Sequence, residues 1–137
     1  MGSTPTNFIP VLVGRGQPGA WKIIAEKIPS SFAPFAGQTP DYNLSSVLAQ
    51  TGQDMTDEHF PLFIYQGETF RNFKFTTRLK ILSGIAEQMA GVVFRYQNAS
   101  NYYVVRASAL GNNVRFYKVL DGIRSDPIGP KIEVTTD

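Results

Sequence analysis

The stretch from Gly91 to Arg124, GVVFRYQNASNYYVVRASALGNNVRFYKVLDGIR, decides the fold class. It predicts three short strands, over residues 89–96, 102–109 and 114–120, that are separated by polar turns. The last of these strands is followed by Asp-Gly, which is a strong hairpin signal next to an apolar run. Each strand also carries one arginine among Tyr, Phe and Val. The pattern indicates an antiparallel array of hairpins.

Outward from this stretch, the sequence predicts further short strands over residues 8–13, 20–28, 43–50, 60–65, 70–82 and 128–135. Residues 70–82 have the clearest alternation of the chain, with Phe73, Phe75, Thr77, Leu79 and Ile81 on one face and Asn72, Lys74, Thr76, Arg78 and Lys80 on the other. Such a period of two is typical of a half-buried strand. Residues 29–42, rich in proline, are predicted to form a surface loop. About nine short strands without a long helix predict an all-β fold, an antiparallel β-sandwich of the jelly-roll type.

Length and composition predict one globular domain. The chain has 137 residues, of which 42% are hydrophobic and 18% charged, and these proportions exclude a disordered protein. We expect residues 8–137 to form a single β-sandwich and residues 1–7 to be a flexible, tag-like N-terminus. Ten Phe and six Tyr favour strands over helices.

Charge and cysteine content exclude several classes of function. The formal net charge is +2 and the basic residues are dispersed, so we expect no nucleic-acid partner. The absence of cysteine excludes disulfides, thiolate catalysis and Cys-based zinc sites. No apolar run approaches the roughly 20 residues that span a bilayer, so we expect no membrane partner. The chain carries no signal peptide, yet for a domain of this kind we expect a secreted or periplasmic location.

Residues from Gly19 onward resemble a bacterial branch of the concanavalin A-like lectin/glucanase sandwiches, also described as laminin-G-like, near the 3-keto-disaccharide hydrolase-like group. The matching motifs are PGAW (18–21), SVLAQ (46–50), GVVFRY (91–96), NYYVVRA (101–107) and NVRFYK (113–118). The resemblance implies a jelly-roll sandwich that continues through further strands, so we expect this domain to lack its C-terminal strands. Where the hydrolase-like relatives carry Glu and Gln, this chain has Tyr103 and Val105. The resemblance therefore implies the fold, and these two departures put any inherited catalysis in doubt.

The arginines and tyrosines of the three hairpin strands form the candidate ligand-binding set. Arginine offers a fixed fork of donors to hydroxyl and carboxylate groups, and tyrosine rings stack on sugar rings. The candidates are Arg95, Tyr103, Arg106 and Arg115, which we expect on one sheet surface, with Tyr96, Asn101 and Tyr102 at its rim. An equally open interpretation is an outer sheet face on which arginines cover tyrosines through cation–π contacts. The choice depends on strand register, because a slip of one residue moves every side chain to the other face.

Signals for catalysis and for metal binding are weak. Glycoside hydrolysis needs two carboxylates about 5–10 Å apart, but the strands between residues 91 and 120 contain no acid, so we identify no catalytic residues. Asp54, Asp57 and Glu58 form an acidic cluster that is a candidate calcium site, or alternatively caps a short helical turn. No other cofactor is expected. Trp21 is predicted to anchor the core, and the single histidine, His59, lacks the partners of a catalytic base.

A G-x-G-x-x-G motif covers residues 14–19, but no βαβ pattern follows it, so a dinucleotide site is not expected.

The leading hypothesis is a non-catalytic carbohydrate-recognition domain that binds a glycan on its concave sheet. The alternatives are a glycan hydrolase of the keto-disaccharide hydrolase-like type and a structural protein-interaction module. An exposed sheet edge would also allow pairing into a homodimer.

Overall fold

The computed structural model describes residues 3–29, 42–84 and 88–135, and every regular element in these ranges is a β-strand. The strands are β1 (Phe8–Gly14), β2 (Trp21–Pro29), β3 (Tyr42–Gln50), β4 (His59–Tyr65), β5 (Met89–Asn98), β6 (Asn101–Ser108), β7 (Asn113–Leu120), β8 (Ile123–Arg124) and β9 (Ile132–Glu133). None of the described residues forms a helix that is long and apolar enough to cross a membrane.

The strands form three antiparallel sheets. β1 pairs with β4, and β2 pairs with β3 along its whole length. The third sheet has the order β5-β6-β7-β8, and β9 also pairs with β7. The predicted all-β, antiparallel class is confirmed, and the architecture is consistent with an all-β sandwich.

Aromatic rings connect the two small sheets. Trp21 of β2 stacks on Phe63 of β4 with 5.1 Å between the ring centroids, and Phe63 stacks on Phe8 of β1 at 5.0 Å. The Thr51 N–H donates a hydrogen bond of 2.8 Å to the Ala20 carbonyl, which closes the end of the β2–β3 pair. The strand predicted over residues 20–28 is confirmed, and the predicted anchor Trp21 lies where these two sheets meet.

Local turn chemistry builds the hairpins of the five-stranded sheet. Between β5 and β6, the Asn98 side-chain oxygen accepts the Ser100 N–H at 2.9 Å. Between β7 and β8, Asp121 has a φ of 50° and Gly122 a φ of 78°. Two left-handed residues in a two-residue loop are the requirement of the type I′ hairpin, which explains why Asp-Gly is the favoured pair there. The three strands predicted between residues 89 and 120 are confirmed.

The most buried apolar side chains of the described residues all belong to β6 and β7. Tyr102, Tyr117 and Val119 are only 8%, 6% and 6% exposed. These two strands are flanked by paired strands on both sides, so neighbouring strands of the sheet cover their residues. The five-stranded sheet therefore contains the best-buried part of the described chain.

The strand predicted over residues 70–82 is wrong. The structure shows no strand there, and side chains such as Phe73 and Phe75 are 53% and 62% exposed. The segment contacts the rest through a Phe70–Tyr65 ring stack and an ion pair between Lys80 and Glu26. A strand needs a neighbouring edge to which its backbone groups can bond, and alternation alone does not supply one.

The C-terminal strands are shorter than predicted. The strand expected over residues 128–135 is reduced to β9, and the two-residue strand β8 was not predicted. β8 follows from the Asp-Gly turn, which folds Ile123 back beside Leu120. The loop predicted over residues 29–42 lies almost entirely outside the described residues, as do residues 1 and 2 of the predicted N-terminal tail.

Candidate functional site

Strand register places two of the three predicted arginines on one face of the five-stranded sheet. Arg106 of β6 lies directly opposite Arg115 of β7. Opposed residues of an antiparallel pair share a face, and every second residue returns to it. By the same register, Tyr102 lies on this face as well. We call it the arginine face.

Two residues outside the predicted set, Tyr117 and Arg124, complete the arginine face. Tyr117 is opposite Val104, and Arg124 of β8 is opposite Val119. Both residues could have been predicted from the sequence. Tyr117 follows Arg115 by two positions in the same strand, and a two-residue Asp-Gly turn sets the β7–β8 register. Arg124 is missing from the predicted set because the alternation was not extended across that turn, and Tyr117 is missing although alternation within its own strand places it beside Arg115.

Tyr117 is the centre of the arginine face. Its hydroxyl accepts a hydrogen bond of 2.8 Å from Nη2 of Arg106. The Arg106 and Arg124 guanidinium carbons each lie 5.1 Å from the centroid of its ring. Cations within about 6 Å of a ring centroid are attracted by its electron-rich face. The interpretation in which arginines cover tyrosines therefore describes Arg106 and Arg124.

The arginine face has excess positive charge. Among the described residues, the ion pairs join His59 to Asp54, Lys80 to Glu26 and Lys131 to Glu133, and none of them includes an arginine of this face. Strands β5 to β9 contain a single acid, Glu133, which is paired with Lys131. Arg106 Nε is buried without a hydrogen-bond partner in the described chain. The face thus offers guanidinium donors that no carboxylate neutralises.

Tyr96, Asn101 and Tyr102 lie together at the β5–β6 turn end of this sheet. The rings of Tyr96 and Tyr102 are 6.2 Å apart. Burial raises the pKa of Tyr102 above its usual 10.0, with a smaller opposing effect from Arg124. Asn101 has a structural task, because its Nδ2 donates to Asn98 and its Oδ1 accepts from the Asp121 N–H. This end of the sheet is therefore held by side-chain amides and aromatic contacts.

Tyr103 is not part of the arginine face, and the strand register does not place Arg95 on it. Tyr103 projects to the opposite side of the sheet, where its ring packs 5.5 Å from Phe94 and 5.7 Å from Phe116. We call that side the aromatic face. Arg95 is exposed, has a φ of 50°, and lies in the irregularity between Phe94 and Asn98 where the β5–β6 register shifts. The expectation that all the candidates share one surface is wrong for Tyr103, because strand alternation separates it from its neighbour Tyr102.

The predicted calcium site takes a different form in the structure. Asp54 accepts hydrogen bonds from the backbone N–H groups of Gln17 at 2.6 Å and Thr56 at 2.8 Å. Hydrogen bonds from the Thr56 side chain and from these two N–H groups lower the pKa of Asp54 to about 2. His59 Nε2 lies 2.6 Å from the Gln17 carbonyl oxygen and 4.0 Å from the Asp54 carboxylate. These contacts fasten the loop before β2 to the loop before β4.

This arrangement gives no support for a metal site. Within residues 3–29, 42–84 and 88–135, no three His, Cys, Asp or Glu side chains come together in a group that could hold a metal ion. Asp54, Asp57 and Glu58 are therefore not gathered around one point. Calcium binding stays an untested prediction, and the contacts of Asp54 and His59 described above form without a metal ion.

A second place where aromatic rings meet is a hollow of about 370 Å³ beside the two small sheets. It is lined by Thr4, Phe8, Pro10, Gly19, Ala20, Trp21 and Phe63. The Trp21 Nε1 atom is buried there without a hydrogen-bond partner in the described chain. The hollow contains no charged side chain, so its chemistry differs from that of the arginine face.

The chain was compared with family models, with curated proteins and with solved structures, and none of these comparisons found a match.

Proposed function

We propose that this chain is a non-catalytic carbohydrate-recognition domain that binds a glycan on the arginine face. The observation that carries the proposal is the gathering of Arg106, Arg115 and Arg124 with two tyrosines on one face of a sheet, with no acid paired to any of these arginines in the described chain. Guanidinium forks bind hydroxyl and carboxylate oxygens, and tyrosines add ring contacts. The resemblance of residues 19–137 to concanavalin A-like sandwiches supports the same function.

The roles of the residues differ within this proposal. The Arg115 side chain has no ion pair or hydrogen bond to other described residues, so it is the arginine whose donors are most available. Arg106 and Arg124 serve partly as cover for Tyr117. Tyr96 and Tyr102 lie at the rim. Tyr103, on the aromatic face, and Arg95, in the irregular part of β5, have no direct part.

The test is a glycan-array screen of the purified protein beside an Arg106→Ala, Arg115→Ala double variant. The matched control is Arg71→Ala, Arg78→Ala, which removes the same charge from the exposed segment outside the sheets. We expect saturable binding that the double variant loses and the control keeps. Folding of each variant is checked by circular dichroism. Binding that both variants keep, or an array without any binding, would contradict the proposal.

A second candidate function, a protein-interaction module, is favoured by the apolar side chains on the aromatic face. Leu120, Ile123 and Ile132 are 54%, 73% and 57% exposed. β5 is also an outer strand of its sheet and pairs only with β6 among the described strands, so an edge-to-edge homodimer is part of this candidate. Light scattering over a range of concentrations tests it, and a stable monomer would argue against it.

The enzyme alternative needs two converging carboxylates about 5–10 Å apart, which the strands of the five-stranded sheet do not provide. Release of reducing ends from any glycan that the array identifies would support the enzyme alternative.

A secreted or periplasmic location belongs to the proposal too, and cell fractionation tests it.

A further inference from the structure

We propose that the arginine face selects glycans that carry anionic groups, carboxylate or sulfate, and that Arg106 and Arg115 together hold one such group. This inference rests on the proposed carbohydrate-recognition function and names its ligand class. It makes Arg115 the main anion contact and Arg106 the second one.

The first argument is the placement of two like charges opposite each other. Arg106 and Arg115 are direct cross-strand partners on one face, at a position where side chains start about 5 Å apart. Like charges at this position destabilise a sheet. Arg124 adds a third cation over the same Tyr117 ring. A bound anion between the first two arginines would convert this repulsion into two charge-assisted contacts.

The second argument is the supply of unused donors. Arg106 donates through Nη2 to the Tyr117 hydroxyl, and its Nε is buried without a partner. A buried donor without a partner costs free energy, which a ligand oxygen can recover when the guanidinium turns towards it. Guanidinium groups bind carboxylate and sulfate-like anions through two parallel hydrogen bonds, which neutral hydroxyl groups do not match in strength.

The third argument is that the charge is local. The whole chain has a net charge of only +2, so general electrostatic attraction of polyanions is small. Three arginines that form no ion pair with described residues concentrate positive potential on one sheet face, and the one acid that the register places on that face, Glu133, is paired with Lys131. A site of this kind favours an anionic group that lies directly on the face over a polyanion that is attracted only by the net charge of the chain.

The experiment is isothermal titration calorimetry with two probes that share one backbone, a galacturonic acid oligosaccharide and its methyl ester. The ester removes the charge and keeps the hydroxyl groups. A third probe, a sulfated oligosaccharide, separates sulfate from carboxylate. We expect the acidic or the sulfated form to bind at least about ten-fold more tightly than the neutral ester, as charge-assisted hydrogen bonds imply.

Variants assign the preference to the face. We expect Arg115→Gln to lower the affinity for the anionic probe by about ten-fold and the affinity for the ester by clearly less, and Arg115→Lys to restore part of the affinity for the anionic probe. Arg78→Gln is the control with the same loss of charge. The preference should weaken at high salt.

The failures of the two proposals can be told apart. Equal affinity for the acidic and neutral forms, or an Arg115→Gln variant that keeps the preference, would overturn this inference and leave glycan recognition standing. Absence of any binding on the array would remove the proposed function as well. Equal affinity for single-stranded DNA and for the acidic glycan would also overturn the inference, because the face would then recognise negative charge without selecting a glycan.

Discussion

The two faces of the five-stranded sheet bury their aromatic rings in different ways. On the arginine face, Tyr117 is 6% exposed, because Arg106 and Arg124 lie over its ring. On the aromatic face, Phe94, Tyr103 and Phe116 pack on one another, but none of them is among the buried residues. Long cationic side chains cover a ring with their methylene groups while keeping the charge near water. An arginine can thus replace an apolar layer as the cover of a tyrosine.

This comparison has a consequence for the proposed site. The arginines of the arginine face stabilise the sheet, and the same arginines are the proposed ligand contacts. Substituting Arg106 therefore removes a stabilising contact as well as a ligand contact, whereas the Arg115 side chain makes no hydrogen bond or ion pair to other described residues, so that its substitution removes a ligand contact without removing a stabilising one. The difference between the two faces is measurable in the variants below.

The largest effect is expected for Tyr117→Ala. This change removes the best-covered ring of the sheet, and we expect the free energy of unfolding to fall by about 3–4 kcal/mol. Phe116→Ala, on the aromatic face of the same strand, should cost about 1–2 kcal/mol, because that ring is covered less completely. Urea unfolding followed by tryptophan fluorescence and circular dichroism measures both. If Phe116→Ala costs as much as Tyr117→Ala, the two faces are equally covered.

Gly91→Ala tests how closely β5 and β6 approach. Gly91 lies opposite Arg106, and a methyl group there would collide with the Val105 carbonyl oxygen. We expect a loss of about 1–3 kcal/mol, because the two strands must move apart. Ala90→Val places a larger group on the aromatic face and should change stability by less than about 1 kcal/mol. Equal losses would contradict an open aromatic face.

Tyr117→Phe isolates the hydroxyl of the central ring. It removes the acceptor of Arg106 Nη2 and keeps the ring, so we expect a loss of about 1 kcal/mol. The matched control is Tyr103→Phe, because the Tyr103 hydroxyl makes no hydrogen bond to other described residues. Thermal or urea unfolding of the two variants measures their losses of stability relative to the wild type. A control that loses as much as Tyr117→Phe would show that the hydrogen bond contributes nothing specific.

Arg124→Met removes one of the two cations over Tyr117 and keeps a side chain of similar length. We expect a loss of about 0.5–1 kcal/mol, the usual size of an exposed cation–π contact. Arg78→Met, outside the sheets, is the control and should leave stability unchanged. An unchanged Arg124→Met variant would mean that Arg106 alone covers the ring.

The smallest effect is the pH dependence contributed by Tyr102. Burial raises its pKa in the folded state above the unfolded value of 10.0, so its stabilisation is complete below pH 10 and is lost as the pH rises through the folded pKa. We therefore expect the wild type to lose stability relative to Tyr102→Phe as the pH rises above 10. Urea midpoints measured over that range test this, and a difference independent of pH would contradict it.

Much of the five-stranded sheet was predictable because its signals are local. The Asp121-Gly122 turn and the polar turns of the other hairpins specify two-residue and short loops, and these bring consecutive strands together without help from distant residues. The segment over residues 70–82 shows the opposite case. Its alternation is the strongest of the chain, but pairing it requires an edge elsewhere, which no local signal specifies.

Only that part of the candidate site was predicted which local signals determine. Tyr102 and Arg106 share a face by alternation within β6, and the same alternation already places Tyr103 on the opposite face, so its assignment to their surface was wrong. Placing Arg115 with them required the β6–β7 register. Tyr117 and Arg124 were missed, although the alternation and the Asp-Gly turn place them.

The amino-acid sequence by itself determined the all-β class, the positions of the hairpins and the supply of arginine and tyrosine to them, because turn chemistry and alternation act over a few residues. Only the tertiary structure decided which side chains meet. The β6–β7 register placed Arg106 opposite Arg115, and the fold of β8 brought Arg124 over Tyr117. Register and edge pairing depend on contacts between residues distant in the chain, and a shift of one residue would have exchanged the two faces.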